Sequence, residues 1–466
     1  MMNAPSTGPA TLPPIKRRNA ELVMLLLALG ISLGAFAAAG LALNERIPGG
    51  MFGYGFTFGG LAIGVHAALR FIAPYADPLI LPCGIFLNGL GLSMVWRLNQ
   101  GEEGEHAGVG MQLTWAAIGM VLCLLILFFL KEPRVLQRYP YITLLLAIVL
   151  LASPMTPVLG QEVLGARRWI GIGGFTLQPS EFAKIALVVF LSGYLVMKRD
   201  VLSLASKEFK VGPFKVLDLP RMRDMGPMVV AWCIAILILV GTKDLGTSLL
   251  MFGTFLAMIY AATQRSSWVI IGIVMFLAGA TAAWAIFWHV QQRVTIWLDP
   301  FNPEVIDAVG GSFQLVQGLF GLAEGGVLGT GLGQGQPDTI FAADSDLILV
   351  SFGEELGLTG LMAIVVVIFL LCERGLRVAL ASRELFVKMM ATGIAFVIAF
   401  QVFITMGGVT RLIPLTGMTT PFLSAGGSSL MASWIMLGLL LRMSDNARRP
   451  APQAIQDEGM TQVISR

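Results

Sequence analysis

Gly165-Ala-Arg-Arg-Trp-Ile-Gly-Ile-Gly-Gly-Phe-Thr-Leu-Gln-Pro-Ser-Glu-Phe-Ala-Lys184 runs straight into an apolar stretch that continues through Leu195. Glu181 and Lys184 stand three residues apart at its start, so on a helix they share one face and can pair. Charges placed where lipid belongs are costly, and chains that carry them there usually line a polar cavity with them. The stretch therefore predicts a membrane-embedded helix that bears a working site.

The rest of the 466-residue chain fits that setting. It is 56% hydrophobic and 13% charged, with a mean hydropathy of +0.78, where a soluble domain carries roughly a quarter charged residues. Apolar runs of spanning length recur, and twelve are expected: 21–43, 52–72, 77–97, 111–130, 140–157, 180–197, 226–241, 246–262, 267–289, 347–372, 385–406 and 424–443. The runs are continuous rather than alternating, which excludes a closed β-barrel. The expected fold is all-α: a polytopic membrane helical bundle with one long outer loop, 290–346. Lys243, Asp244 and Gly246 crowd the junction of the short seventh run with the eighth, which predicts a broken or tilted helix there.

Basic residues orient the bundle. With the N-terminus inside, 23 of the 31 Lys and Arg fall on the cytoplasmic side. Seven fall outside (Arg46, Arg97, Arg167, Arg168, Lys243, Arg293, Arg411), and Lys184 lies in the membrane. This follows the positive-inside rule and predicts a multi-pass protein of the inner (cytoplasmic) membrane with both termini cytoplasmic. The net charge of +3 is spread along inner loops, as suits anionic headgroups rather than nucleic acid. Cys83, Cys123, Cys233 and Cys372 fall within spans, and His66, His106 and His289 are far apart. Neither set has metal-ligand spacing, and no disulfide framework is expected. Four regions follow: a cytoplasmic tail (1–19), N-terminal transmembrane helices (20–160), a transmembrane core (161–444) and a polar cytoplasmic tail (445–466).

In the outer loop, Asp299-Pro300 and Asn302-Pro303 read as turns. Phe313–Phe320 reads as an amphipathic surface helix. Gly325–Gly335 holds six glycines in eleven residues; with no preceding strand it is not a nucleotide fingerprint, and its glycines suit close backbone approach to a ligand or a helix. Asp344 and Asp346 end the loop just before a span, either as helix caps or as carboxylates at the mouth of a cavity. Nearness to the first turn of a helix favours the ionised form of Asp346. Glu354 and Glu355 lie two turns further, where at least one is expected to bond within the bundle. The connector 198–225, with Pro213 and Pro220, is expected to lie against the inner face without a chemical role.

Three further polar islands stand out. Asp244 and Lys243 make a tight outer turn, as a cap or as cavity lining. Arg167 and Arg168 with Trp169 are exceptions to the charge bias, and a guanidinium suits a bidentate grip on a diphosphate. The segment 407–429, punctuated by Gly and Pro and carrying Arg411, reads as a re-entrant loop, which membranes tolerate only where it is buried or lines a cavity. Ser424, Ser428 and Ser429 would help satisfy its backbone; with no base nearby, none is a nucleophile.

Gly165–Lys184, Lys243–Leu249, Ala343–Gly357 and Pro414–Ser429 together resemble, in order, the SEDS (shape, elongation, division and sporulation) family of the RodA and FtsW type. The form Thr-Arg-Leu-Ile-Pro-Leu-Thr-Gly leans toward the actinobacterial rod-shape members. The likeness covers roughly 165–443, with the expected twelve spans exceeding the family's ten by two in the N-terminal third. It implies a peptidoglycan glycosyltransferase that polymerises lipid II into β-1,4 glycan strands at the outer membrane face, working with a class B penicillin-binding protein (the transpeptidase). It places the essential aspartate on Asp346, although Ser345 replaces the usual Thr and Asp344 adds a second acid. The diphosphate would be met by Arg168, with Lys184, Lys243 and Arg411 as further cations. Glu181, Asp244, Asp344 and Glu354 would support them. No organic cofactor is implied, and a divalent cation (Mg or Mn) is an optional helper at the diphosphate. The competing reading is a flippase for a polyprenyl-diphosphate-linked precursor.

Overall fold

Ten helices long and apolar enough to cross a membrane are present among the described residues. The computed structural model describes residues 16–100, 108–163, 166–173, 175–203, 207–211, 214–219, 241, 243–308 and 310–450. The spanning helices are α1 (Arg18–Asn44), α2 (Met51–Ile72), α3 (Ile80–Leu98), α4 (Val109–Phe129), α6 (Pro179–Ser203), α7 (Leu245–Thr263), α8 (Ser266–Ile286), α11 (Ile348–Ala381), α12 (Leu385–Val409) and α13 (Gly427–Arg448). Between them, α5 (Pro140–Ala152) is short, and α9 (Trp288–Leu298) and α10 (Phe313–Gly325) belong to the long loop. The protein is a multi-pass membrane helical bundle.

The expected count of twelve is not reproduced. At 1.5 Å per residue, α5 covers roughly 20 Å, short of a ~30 Å hydrocarbon core, because Ser153 and Pro154 pull the chain into a 3-10 turn. The expected seventh run, 226–241, lies outside the described residues apart from Gly241. Nor is the chain purely helical. β1 (Gly160–Val163), β2 (Ala166–Ile172) and β3 (Phe175–Leu177) form an antiparallel sheet in that order, with Gln161 opposite Trp169 and Ile170 opposite Leu177. β4 (Lys207–Val211) and β5 (Phe214–Leu219) pair as a hairpin inside the expected connector. These strands have three to seven residues each, too few for an alternating pattern to stand out from a loop.

α3, α6 and α13 form the centre and α8 the rim: 94% of the α3 window is buried but only 6% of the α8 window. α13 packs along α4, α1 along α3, α11 along α12, and α6 on α5, α7 and α12. Small residues permit this closeness, as membrane interfaces require: a Cβ on Gly119 would come within 2.6 Å of the Trp434 ring. Cys83, Cys123 and Cys372 are buried free thiols.

The glycine-rich loop after α10 meets α11 where that helix breaks. Gly357 has φ +67° and ψ −174° within α11, and the carbonyls freed there do not go unpaired. Thr330 and Gly331 donate to the carbonyls of Glu354 and Glu355 at 3.0 and 2.9 Å, while Leu358 and Thr359 donate to Gly326 and Val327. The expected amphipathic helix at Phe313–Phe320 is the N-terminal part of α10. The glycines around 325–335 serve helix approach: a Cβ on Gly357 would sit 2.3 Å from the Gly329 nitrogen. Gly357→Ala is therefore expected to cost on the order of 2 kcal/mol or more through strain and clash, read as a thermal midpoint several degrees lower in detergent. An unchanged midpoint would show that the break can be repaired elsewhere.

Candidate functional site

The sheet decides which arginine enters the bundle. Adjacent residues on a strand point to opposite faces, so Arg167 turns out to an exposed pair with Glu162 at 3.0 Å. Arg168 turns in, and its Nη2 donates to the Lys243 carbonyl at 2.8 Å. Lys243 holds φ +59°, which aims that carbonyl across the turn. Asp244 caps α7, accepting from the Thr247 backbone and hydroxyl at 3.2 and 2.9 Å, with Ser180 at 3.4 Å. Asp244 is therefore a helix cap, and it also acts electrostatically on Asp346 and Arg293.

Asp346 follows a turn whose carbonyls, from Ala343 to Ser345, are engaged. Ala425 N donates to Asp344 O at 2.7 Å, Ser424 Oγ to Ser345 O at 2.6 Å, and Ser351 Oγ to Ala343 O at 2.9 Å. The N-cap position of α11 is Leu347, not an aspartate. Asp346 is half-buried while Asp344 is buried. Gly417 lies against the carboxylate, where a side chain would crowd it. A Cβ there would be 3.2 Å from Asp346 Oδ2 and 3.5 Å from Arg168 Nη1, and its φ is +70°. Burial raises the Asp346 pKa above the usual carboxylate value; Arg168 and Arg293 pull it down, while Asp344 and Asp244 push it up.

Arg293, not singled out as a site residue from sequence, replaces Arg411 in this group. It projects from α9 and donates to the Leu415 carbonyl. Burial lowers its pKa, Arg168 adds to that, and Asp244 and Asp346 oppose it. Arg411 instead donates to the carbonyls of Trp297 and Leu298 at 3.1 and 3.2 Å and lies over Phe301, fastening α9 to the re-entrant segment. His289 is one turn before Arg293 on the same helix face. Its Nε2 is buried without a hydrogen-bond partner, and burial, then Lys243, Arg293 and Arg168, lower its pKa. The sequence signal for both was four-residue spacing on a loop helix, ordinary in itself.

Glu181 and Lys184 pair as expected, at 2.5 Å, both buried. Lys184 also donates to Gln401 Oε1 at 2.7 Å, and Gln401 Nε2 donates to the Thr419 carbonyl at 2.8 Å. The pair thus supports the strip beside Asp346 through Gln401. Of the three serines only Ser424 meets the segment's own backbone, accepting from Thr420 N at 2.7 Å; Ser428 accepts from Gln178 N at 2.8 Å outside it, and Ser429 from the Thr419 hydroxyl at 2.8 Å. Glu354 and Glu355 belong elsewhere: Glu354 accepts from Gln336 N at 2.6 Å. Glu355 accepts from Arg97 at 2.7 Å and from Gly333 N at 3.0 Å. Among the described residues no group of three or more His, Cys, Asp or Glu is arranged to hold a metal ion.

A carboxylate whose pKa burial raises thus meets two guanidiniums inside a helical membrane bundle. The chain belongs to the FtsW/RodA/SpoVE family of cell cycle proteins, whose pattern matches residues 79–449. It is 46% identical to the peptidoglycan glycosyltransferase RodA of Mycobacterium tuberculosis over 447 residues, covering 95% of this chain and 93% of that protein. It is 34% identical to the stage V sporulation protein E of Bacillus subtilis over 342 residues, 72% and 87% of the two. The fold matches a chain of a peptidoglycan synthase complex coordinating polymerization and crosslinking, with TM-score 0.57 and 22% identity over 85% of this chain and 98% of that one.

Removing one partner of a buried pair strands the other charge, at about 3–5 kcal/mol. Glu181→Ala is therefore expected to lower the thermal midpoint and yield sharply, and Glu181→Leu with Lys184→Met to recover most of the loss. Equal losses in both would mean the pair contributes more than mutual neutralisation.

Proposed function

We propose that this chain is a peptidoglycan glycosyltransferase that polymerises lipid II into β-1,4 glycan strands at the outer face of the cytoplasmic membrane, for cell elongation and shape. The observation that carries the assignment is the meeting of Asp346 and Arg168 at Gly417, within 3.2 and 3.5 Å of one point. The names of the mycobacterial relatives support the reaction class.

The 4-hydroxyl of the lipid II N-acetylglucosamine attacks the anomeric carbon of the lipid-linked growing strand. Asp346 takes the hydroxyl proton as the new C–O bond forms. The bond from the anomeric carbon to the diphosphate oxygen breaks, and undecaprenyl diphosphate leaves with the electron pair. Attack from the opposite side inverts the centre and gives the β link. The leaving group is already a good one, so it requires positive charge rather than an acid, and Arg168 and Arg293 supply it. Lys243 stands behind Arg168 through its carbonyl. A divalent ion, Mg or Mn, enters this reading only as a companion of the substrate diphosphate. The prenyl tails stay in hydrocarbon, so the site opens between helices.

In this reading the face carrying Asp346 is outside, with both termini cytoplasmic, as the basic-residue bias requires. A class B penicillin-binding protein is the expected crosslinking partner, a reading supported by the synthase complex that shares this fold.

Purified protein in detergent is expected to extend labelled lipid II, and Asp346→Asn to lose 10²-fold or more, in the range of a lost general base, while folding normally. Polymer from Asp346→Asn at the wild-type rate would reject Asp346 as base. Movement of lipid across a bilayer without polymer from the wild type would favour the flippase. The acid limb of the pH profile reports the ionised carboxylate, so it should lie above the ordinary carboxylate range. Arg168→Gln removes a cation that holds the pKa down and should move the limb to higher pH. Asp244→Asn removes a like charge and should move it lower. A limb that ignores both changes titrates some other group.

A further inference from the structure

A second polar cleft of about 400 Å³ lies beneath the glycine-rich loop, between α10 and α11. That volume is within the usual range for a small-ligand site. Its α10 wall is Gln317, Phe320, Gly321 and Glu324, a spacing that places all four on one helix face. The loop adds Thr330 and Gln336, and the floor is Glu354. Gly321 and Gly335 leave room for that carboxylate: a Cβ on either would come within 2.9 or 2.7 Å of a Glu354 oxygen.

The lining differs in kind from the Asp346 site. No Lys or Arg faces the cleft, so it has nothing to neutralise a diphosphate. It offers amides, which both donate and accept, with two threonine hydroxyls and the carboxylates of Glu324 and Glu354. The Gln317 Oε1 is buried without a hydrogen-bond partner, an acceptor left for something that donates. Phe320 is 62% exposed at the rim, a flat apolar face beside polar groups. Donors and acceptors around one exposed ring fit a ligand with many hydroxyls and apolar C–H faces. Position agrees. Gly318 packs on Leu347 and Val350, at the start of the helix that follows Asp346. Eight residues separate Asp346 from Glu354, roughly 12 Å at helical rise.

We propose that this cleft is a saccharide site distinct from the Asp346 site, holding an uncharged β-1,4-linked N-acetylhexosamine segment of the strand. Its biological role rests on the glycosyltransferase reading above, but its binding chemistry does not. A strand gripped there stays near the reacting end between successive additions.

The probe is chitotetraose, which is β-1,4-linked and carries neither lipid nor phosphate, added to the full-length protein in detergent and followed by saturation-transfer NMR. Saturable binding is expected, weakened at least tenfold by Gln317→Leu and by Phe320→Ala, and unaffected by inorganic pyrophosphate. Phe320 is exposed, so its loss cannot be ascribed to unfolding. Asp346→Asn should bind as wild type does. Absence of saturable binding overturns the proposal. So does binding that survives both cleft substitutions, or that is lost in Asp346→Asn or displaced by pyrophosphate, since the sugar would then sit in the catalytic cavity. The polymerisation assay with Asp346→Asn tests the chemistry separately, so the two readings can fail independently.

Discussion

Everything at the site hangs on the backbone of residues 410–426, which runs through the bundle without forming a helix. Where such a strip is buried, each unmet amide or carbonyl in an apolar surround costs several kcal/mol. The fold meets this demand with side chains from distant helices. Gln112 of α4 donates to the Ser424 carbonyl at 3.1 Å, and Gln401 of α12 donates to that of Thr419. Arg293 of α9 takes the Leu415 carbonyl, while Trp297 donates to that of Arg411 at 2.9 Å. Buried amides are expensive unless fully engaged, and here one end of Gln401 holds Lys184 while the other holds the strip.

Because the strip is immobilised, so is the electrostatic field around it. Asp346 gains basicity from enclosure, yet Arg168 and Arg293 keep its ionised form accessible. That balance requires the guanidiniums to be anchored by something other than the aspartate. Arg168 is anchored on the Lys243 carbonyl and Arg293 on that of Leu415, so neither needs to collapse onto Asp346 as a closed ion pair. A carboxylate locked in a bidentate pair would be a weak base and a poor host for a substrate proton. Loosely neutralised, it remains both basic and reachable.

Local spacing made part of this legible. Glu181 and Lys184 are three residues apart on one helix, so their pairing needs no tertiary information. The apolar runs located ten of the membrane helices, most to within a few residues, although α11 continues nine residues past the expected end. What could not be read were contacts made across the chain. Arg293 and Arg411 look alike in sequence, each an outside exception to the charge bias. Only the docking of α9 on the strip sends one toward Asp346 and the other to the carbonyls of Trp297 and Leu298. The sheet at 160–177 was hidden for another reason: its strands are bounded by glycines and too short to alternate visibly. Yet its pleat is what separates Arg168 from Arg167.

The paired acids Glu354 and Glu355 carry the last step. In sequence at least one of them is expected to bond within the bundle, and the structure gives both a mechanical task. Gly357 breaks α11 one turn below Glu354, and a broken helix in lipid must have its free carbonyls met by other protein groups. The glycine-rich loop meets them through Thr330 and Gly331. The two carboxylates clamp that loop from the side through the amides of Gln336 and Gly333, with Arg97 of α3 neutralising Glu355 and reaching Asp338 at 2.9 Å. The break is therefore held open rather than tolerated, and it keeps one wall of the second cleft in place. A chain that needed α11 only as a span would have no use for Gly357, for the loop that repairs it, or for two acids buried beside it.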